Sequence, residues 1–96
     1  MKEILKNLDK AFENRIRLGI MSALMVNDYL DFTSLKNLLE VTDGNLASHL
    51  KYLEKQQYVT YEKSFIERKP NTNYSVTNSG TKAFKKHLKA IEQLLK

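Results

Sequence analysis

The sequence has no cysteine, and that absence excludes disulfides, thiolate metal sites and cysteine nucleophiles together. One proline and three glycines punctuate 96 residues, so there is no long linker and no glycine-rich loop that could cradle a phosphate. Repeats and low-complexity stretches are also missing. No apolar run approaches the ~18 residues of a membrane helix, and the start lacks the apolar core of a signal peptide. The expectation is a cytoplasmic protein without a membrane partner. Ser22, Ser34, Ser48, Ser64, Ser75 and Ser79 have no spaced His/Asp partner and no glycine-flanked elbow. A single domain over 1–96 is also too small to wall in a buried active site easily. No catalytic residue, cofactor or metal is expected.

What is present is lopsided charge. The chain carries 16 Lys+Arg against 11 Asp+Glu, a net +5. Residues 1–44 hold six basic and seven acidic side chains; residues 45–96 hold ten basic and four acidic. The whole excess therefore lies in the second half. Polyanions and anionic membranes are the usual partners of such an asymmetry.

Hydrophobic periodicity organises the chain. Ile4, Leu5, Leu8, Ala11 and Phe12 share one face of a first helix, and Ile16, Ile20, Ala23 and Leu24 continue the helical period to about Val26. Asn14 either ends the first helix or starts the second. Thr33 or Ser34 can cap a short third helix over Leu35, Leu38 and Leu39. Thr42 is placed to cap a fourth helix, 43–56, through the amide of Gly44 or Asn45. Its stripe is Leu46, Leu50 and Leu53. Tyr58–Ile66 and Asn73–Thr77 read as strands of a hairpin, with Glu67–Thr72 as a polar turn. Thr77 then caps a last helix, 78–96, with the stripe Phe84, Leu88, Ile91 and Leu95. The predicted order is α-α-α-α-β-β-α, mainly α with a small β-hairpin (α+β). Only Glu40, Val41 and Thr42 join the third and fourth helices, which forces a sharp crossing over residues 33–56.

With the leucine stripe turned inward, the opposite face of the fourth helix carries Gly44, Ser48, Lys51 and Lys55, with Asn45 and Tyr52 at its margins. Asn and Ser near a helix start can bond base edges, and Gly44 allows close backbone approach. Lys63, Arg68 and Lys69 place positive charge on and around the hairpin tip, where phosphates or a minor groove could be reached. The alternative for each feature is an ordinary solvated surface. Tyr58, Tyr61, Phe65 and Tyr74 could stack on single-stranded bases, or glue the hairpin to the helices, which is the commoner use.

Thr42-Asp-Gly-Asn-Leu-Ala-Ser-His-Leu-Lys-Tyr-Leu-Glu54, then Tyr58-Val59, then Arg68-Lys-Pro-Asn-Thr-Asn-Tyr-Ser-Val-Thr77 and Gly80, resemble the winged helix-turn-helix regulators of the ArsR/MarR type. Arg17-Leu-Gly-Ile20 and Asp31-Phe-Thr-Ser-Leu35 fit the same pattern. The resemblance spans roughly residues 8–90. It implies a homodimer that binds operator DNA and regulates transcription, with a recognition helix at 43–56 and a wing over 58–77. It carries base-reading roles onto Asp43, Gly44, Asn45, Ser48 and His49 beside the capping Thr42, and puts Lys51 and Tyr52 nearer phosphates; Lys55 on the same face is a further expected phosphate contact. It carries wing contacts onto Arg68, Lys69 and Asn71, with Lys63 and Thr72 alongside. Many relatives have a basic residue before the wing threonine, where this chain has Asn71; the expectation is that wing binding is weaker here or leans on Arg68.

A dimer is also expected from packing. The first and last helices carry apolar stripes wider than so small a core covers, and pairing them across a two-fold axis buries both. The expected interface is Ile4, Leu5 and Leu8 with Phe84, His87, Leu88, Ile91, Leu94 and Leu95. His87 and Glu92 are five residues apart, a poor helical pair for a metal. Two rivals to double-stranded DNA binding stand open: a winged helix used for protein–protein contact within a larger complex, and a small-molecule sensor or enzyme.

Overall fold

The computed structural model describes residues 1–96. Its elements are α1 (Lys2–Leu5), a 3-10 turn (Lys10–Phe12), α2 (Arg15–Met25), β1 (Leu30–Asp31), α3 (Phe32–Leu39), α4 (Asp43–Lys55), β2 (Val59–Ile66), β3 (Lys69–Val76) and α5 (Asn78–Leu94). The winged helix-turn-helix order expected from the sequence is present. The capping chemistry that starts each long helix is also visible. The Asn14 side chain accepts from the amides of Ile16 and Arg17, both at 3.0 Å, so it opens α2. Thr42 accepts from the Asn45 amide at 3.2 Å, and Thr77 from the Gly80 amide at 2.9 Å. Each satisfies a donor that a helix start leaves without an internal partner.

Four expectations need correction. The first helix is broken. Lys6–Asp9 are non-helical, because Asp9 is taken up elsewhere: its carboxylate caps the 3-10 turn at the Ala11 amide (2.9 Å) and accepts the Tyr58 hydroxyl (2.6 Å). Its own amide donates to His87 Nδ1 at 2.9 Å. The cap of α3 is Asp31, which accepts from the Ser34 amide at 2.7 Å, rather than Thr33 or Ser34. Leu30–Asp31 add a third strand, so the sheet order is β1-β3-β2, antiparallel throughout. Finally, the hairpin turn is two residues long. Glu67 and Arg68 both have positive φ, 51° and 68°, as in a type I′ turn. Pro70 consequently lies inside β3, opposite Phe65. It is tolerated there because β1 pairs only with Asn73 and Tyr74, which leaves the edge beside Pro70 open and in need of no donor.

The core is one cluster. Ile20, Met21 and Leu24 of α2, Leu35 of α3, Leu46, Leu50 and Leu53 of α4, Val59 of β2, Phe84 of α5 and Ala11 and Phe12 of the 3-10 turn are all buried. Phe12 joins the N-terminal turn to the wing base and α5. It stacks on Tyr58 at 5.3 Å and meets Phe84 and His87 edge-on at 5.1 and 5.4 Å. At the same seam Gly80 lies so close to the Tyr58 carbonyl that any Cβ would collide with it. The Thr77 amide donates to that carbonyl at 3.0 Å, which fixes the start of α5 against the base of the wing. The radius of gyration is 14.4 Å, above the ~12.5 Å of a compact chain of this length, because the molecule is elongated, 53 × 25 × 21 Å along its principal axes.

Candidate nucleic-acid interface

Helix α4 has two chemically distinct sides. Leu46, Leu50 and Leu53 are buried, while Asp43, Gly44, Asn45, Ala47, Ser48, Lys51 and Lys55 are exposed. The period of 3.6 residues separates them, and the three-residue joint to α3 holds the helix start at the surface. Glu40 reverses the chain there in the left-handed region, with φ 52°. Lys36 of α3 reaches across the joint to Asp43, Nζ to Oδ1 at 2.8 Å. Asp43 is thus exposed but ion-paired. Thr42 is exposed beside it, with its oxygen already accepting the Asn45 amide. Around Gly44 nothing lies within 4 Å of the Cβ position, so this part of the surface is open.

His49 and Tyr52 are half-buried, and both are organised by Arg17 of α2. The guanidinium lies 4.1 Å from the Tyr52 ring centroid, and its Nη1 is 3.1 Å from His49 Nδ1. Its Nε donates to the Ala11 carbonyl at 2.6 Å. Desolvation, with a smaller contribution from the Arg17 charge, holds the His49 pKa below the usual imidazole value. The ring is therefore neutral at pH 7, and Nδ1 accepts from the arginine. Arg17 was expected only as a residue fitting a family pattern. Its part in holding α4 was not legible, because its partners are 6, 32 and 35 positions away. Ala47 was also missed, though helical spacing from Gly44 and Lys51 puts its methyl between them.

The hairpin divides similarly. At its base Val59 is buried, and Tyr58, Tyr74 and Val76 pack on the core. Beyond the Tyr61–Tyr74 pair, with centroids 6.0 Å apart, the strands leave the body. Lys63, Arg68 and Lys69 are exposed. Asn71 and Thr72 are half-buried, and Asn71 donates to the Asn73 side chain at 3.0 Å. The only ion pairs are Lys6–Glu3, Lys36–Asp43 and Lys96–Glu92, so Lys51, Lys55, Lys63, Arg68 and Lys69 are all without an acidic partner.

The expected dimer residues separate into two groups. Phe84 and His87 are buried within the chain's own core at 3% exposure, His87 fixed by the Asp9 amide, so neither offers surface to a second copy. Leu5, Leu88, Ile91 and Leu95 are exposed, and Ile4, Leu8 and Leu94 are half-buried. No three His, Asp or Glu side chains are grouped so that they could hold a metal ion, and no helix is long and apolar enough to cross a membrane.

Residues 16–95 match the family model described as winged helix DNA-binding domain. The chain belongs to that family. An uncharacterized protein of Methanocaldococcus jannaschii is 40% identical over 87 residues, covering 91% of this chain and 95% of the relative. The transcriptional regulator homologue of Pyrococcus horikoshii OT3 superposes with a TM-score of 0.86 at 32% identity, covering 98% of this chain and 91% of the other. NolR of Sinorhizobium fredii shares the fold, with a TM-score of 0.68 at 24% identity over 97% of this chain and 85% of the other. The winged-helix neighbours are transcriptional regulators of the ArsR/MarR type, the resemblance that the α4 and wing residues carry in the sequence.

Proposed function

We propose that this winged-helix protein is a homodimeric, sequence-specific regulator of transcription that reads double-stranded DNA. The observation that carries the reading is the outward face of α4. It is polar, open at Gly44, and carries Lys51 and Lys55, which like the wing cations have no acidic partner. A helix of this kind enters the major groove with its first turns against base edges. Asn45 and Ser48 are the exposed hydrogen-bonding groups in those turns, and the Ala47 methyl suits the thymine methyl. Lys51 and Lys55 stand further along, at the height of the phosphates. Lys63, Arg68 and Lys69 reach the flanking backbone. Exposed Leu88 and Ile91 on α5, Leu95 at its C-cap and Leu5 of α1 supply the apolar side chains through which two copies pair. The two-fold axis then sets the recognition helices ~34 Å apart on a pseudo-palindromic site.

The test is a gel shift on mixed genomic fragments, followed by recovery and sequencing of the bound ones. Enrichment of a palindromic sequence is expected, with affinity that falls steeply with salt as counterions are released. Sedimentation should show a dimer at tens of micromolar. A protein that retards no fragment at 50 mM salt would refute DNA reading, and the exposed α4 face would then belong to a protein partner.

A further inference from the structure

The hairpin tip carries a feature that ionic contact with phosphates does not use. Phe65 is 76% exposed and Ile66 56% exposed, among the most exposed large apolar side chains of the protein. Phe65 stands directly opposite Pro70 in the β2–β3 register, so the two project from the same face of the sheet. Further down that face Tyr61 and Tyr74 pair, and Val59, Tyr74 and Val76 pack on or within the core. Phe65 and Pro70 return the same face to apolar character at the tip, beyond the intervening Lys63–Thr72 pair. Burial therefore cannot explain a phenyl ring there, and an exposed aromatic at a strand end invites aggregation unless something covers it.

The surroundings say what covers it. Lys63, Arg68 and Lys69 lie within five positions of Phe65, against Glu62 and Glu67, and none of the three cations is within ion-pair distance of a carboxylate. An apolar protein surface would leave these charges stranded; a polyanion would meet them. The tip is also stiff. Two left-handed residues close a two-residue turn, eight register pairs hold the strands, and Pro70 fixes its own φ. A rigid apolar point on a hairpin tip that also carries cations matches the wedges that minor-groove proteins insert between base steps.

Resting on the DNA-reading function proposed above, we infer that the wing is a wedge: Phe65, backed by Pro70, enters the minor groove beside the recognition site and partly unstacks a base step there. Lys63, Arg68 and Lys69 hold the phosphates on either side. The wing would then select for sequence through deformability, favouring flexible pyrimidine–purine steps at the wing positions, while α4 reads base edges.

The chain has no tryptophan, so Phe65→Trp places a single reporter at the tip. The duplex is one recovered from genomic fragments by the unaltered protein. Insertion predicts at least twofold quenching of the tryptophan emission on binding, with loss of acrylamide accessibility. Phe65→Ala is expected to weaken binding to that duplex about tenfold, in keeping with lost apolar burial. It should leave the salt dependence unchanged, since no phosphate contact is removed. It should also reduce the bend of the duplex measured by end-to-end energy transfer. Emission unchanged on a duplex that is still bound would overturn the wedge and leave DNA reading intact. Emission that shifts with protein concentration alone would also overturn it, and assign the tip to a second copy. If the unaltered protein retards no duplex, DNA reading itself fails, and the wedge with it.

Discussion

The two faces of α4 are built from the same thirteen residues and obey opposite rules. On the inner face Leu46, Leu50 and Leu53 are at most 1% exposed, locked in the core cluster shared with α2, α3 and the sheet. Their identity is set by volume. On the outer face Gly44, Asn45, Ala47 and Ser48 have almost no internal partner, and their identity is unconstrained by folding. Asn45 contributes its amide to the Thr42 cap, but its side chain holds nothing. A helix that needed only to be stable would not keep Gly at its second position, where Ala is the better former. The contrast separates what the fold requires from what a partner requires.

The sharpest way to break the inner face is Leu50→Ala. Removing that side chain should cost about 2–5 kcal/mol of stability, read as a lower denaturant midpoint, and DNA binding should fail with unfolding. On the outer face the expected loss is in recognition. Asn45→Ala should reduce discrimination between recovered and random duplexes by about 1–3 kcal/mol with the melting temperature unchanged. Arg68→Ala should weaken both duplexes alike and lower the salt slope by about 0.9. Equal losses from both variants on both duplexes would erase the division of labour.

Arg17 bridges the two regimes, since it holds the margin of α4 from below. Arg17→Ala should cost about 1–2 kcal/mol of stability through the lost carbonyl bond and ring contact. The His49 pKa should rise in the variant, as measured by proton NMR, because one of its two depressing causes is gone. In the unaltered protein the depressed imidazole sets a sign. The unfolded chain binds the proton near its usual pKa of 6.5 and the folded chain only at lower pH. Stability should therefore be complete above pH 6.5 and decline as pH falls through that value. The smallest effect is Gly44→Ala, which should stabilise the fold by about 0.5 kcal/mol because nothing surrounds the added methyl. If it also weakens the recovered duplex, close backbone approach is what the glycine provides.

Helix α4, its threonine cap and its inward stripe were legible because all three are local patterns. The winged order was legible for the same reason, reinforced by a motif run spread along the chain. What was not legible depends on partners distant in sequence. The break at Lys6–Asp9 is dictated by Tyr58 and His87, and nothing near Asp9 announces them. The two-residue turn was hidden because Glu67 and Arg68 occupy left-handed positions that usually advertise themselves as Asn or Gly. β1 is two residues long, too short for any alternation to register. His87 sat on an apolar stripe and so looked available to a second copy; only its bond to the Asp9 amide reveals that the ring is already enclosed.

Asp9 has a consequence for the order of assembly. It gathers Tyr58, 49 residues away, and His87, 78 residues away, at one carboxylate and one amide. Contacts of such separation carry the largest loop-closure cost and form after local ones. The α2–α4 helices can therefore condense first, with the N-terminal turn docking last and reopening first. Because the Ala11 carbonyl of that turn anchors Arg17, each such opening also releases the grip on His49 and Tyr52. Hydrogen exchange should accordingly find Asp9–Phe12 among the least protected of the core-bound amides, and the rigidity of the α4 margin would be only as lasting as the closure of a turn far from it in sequence.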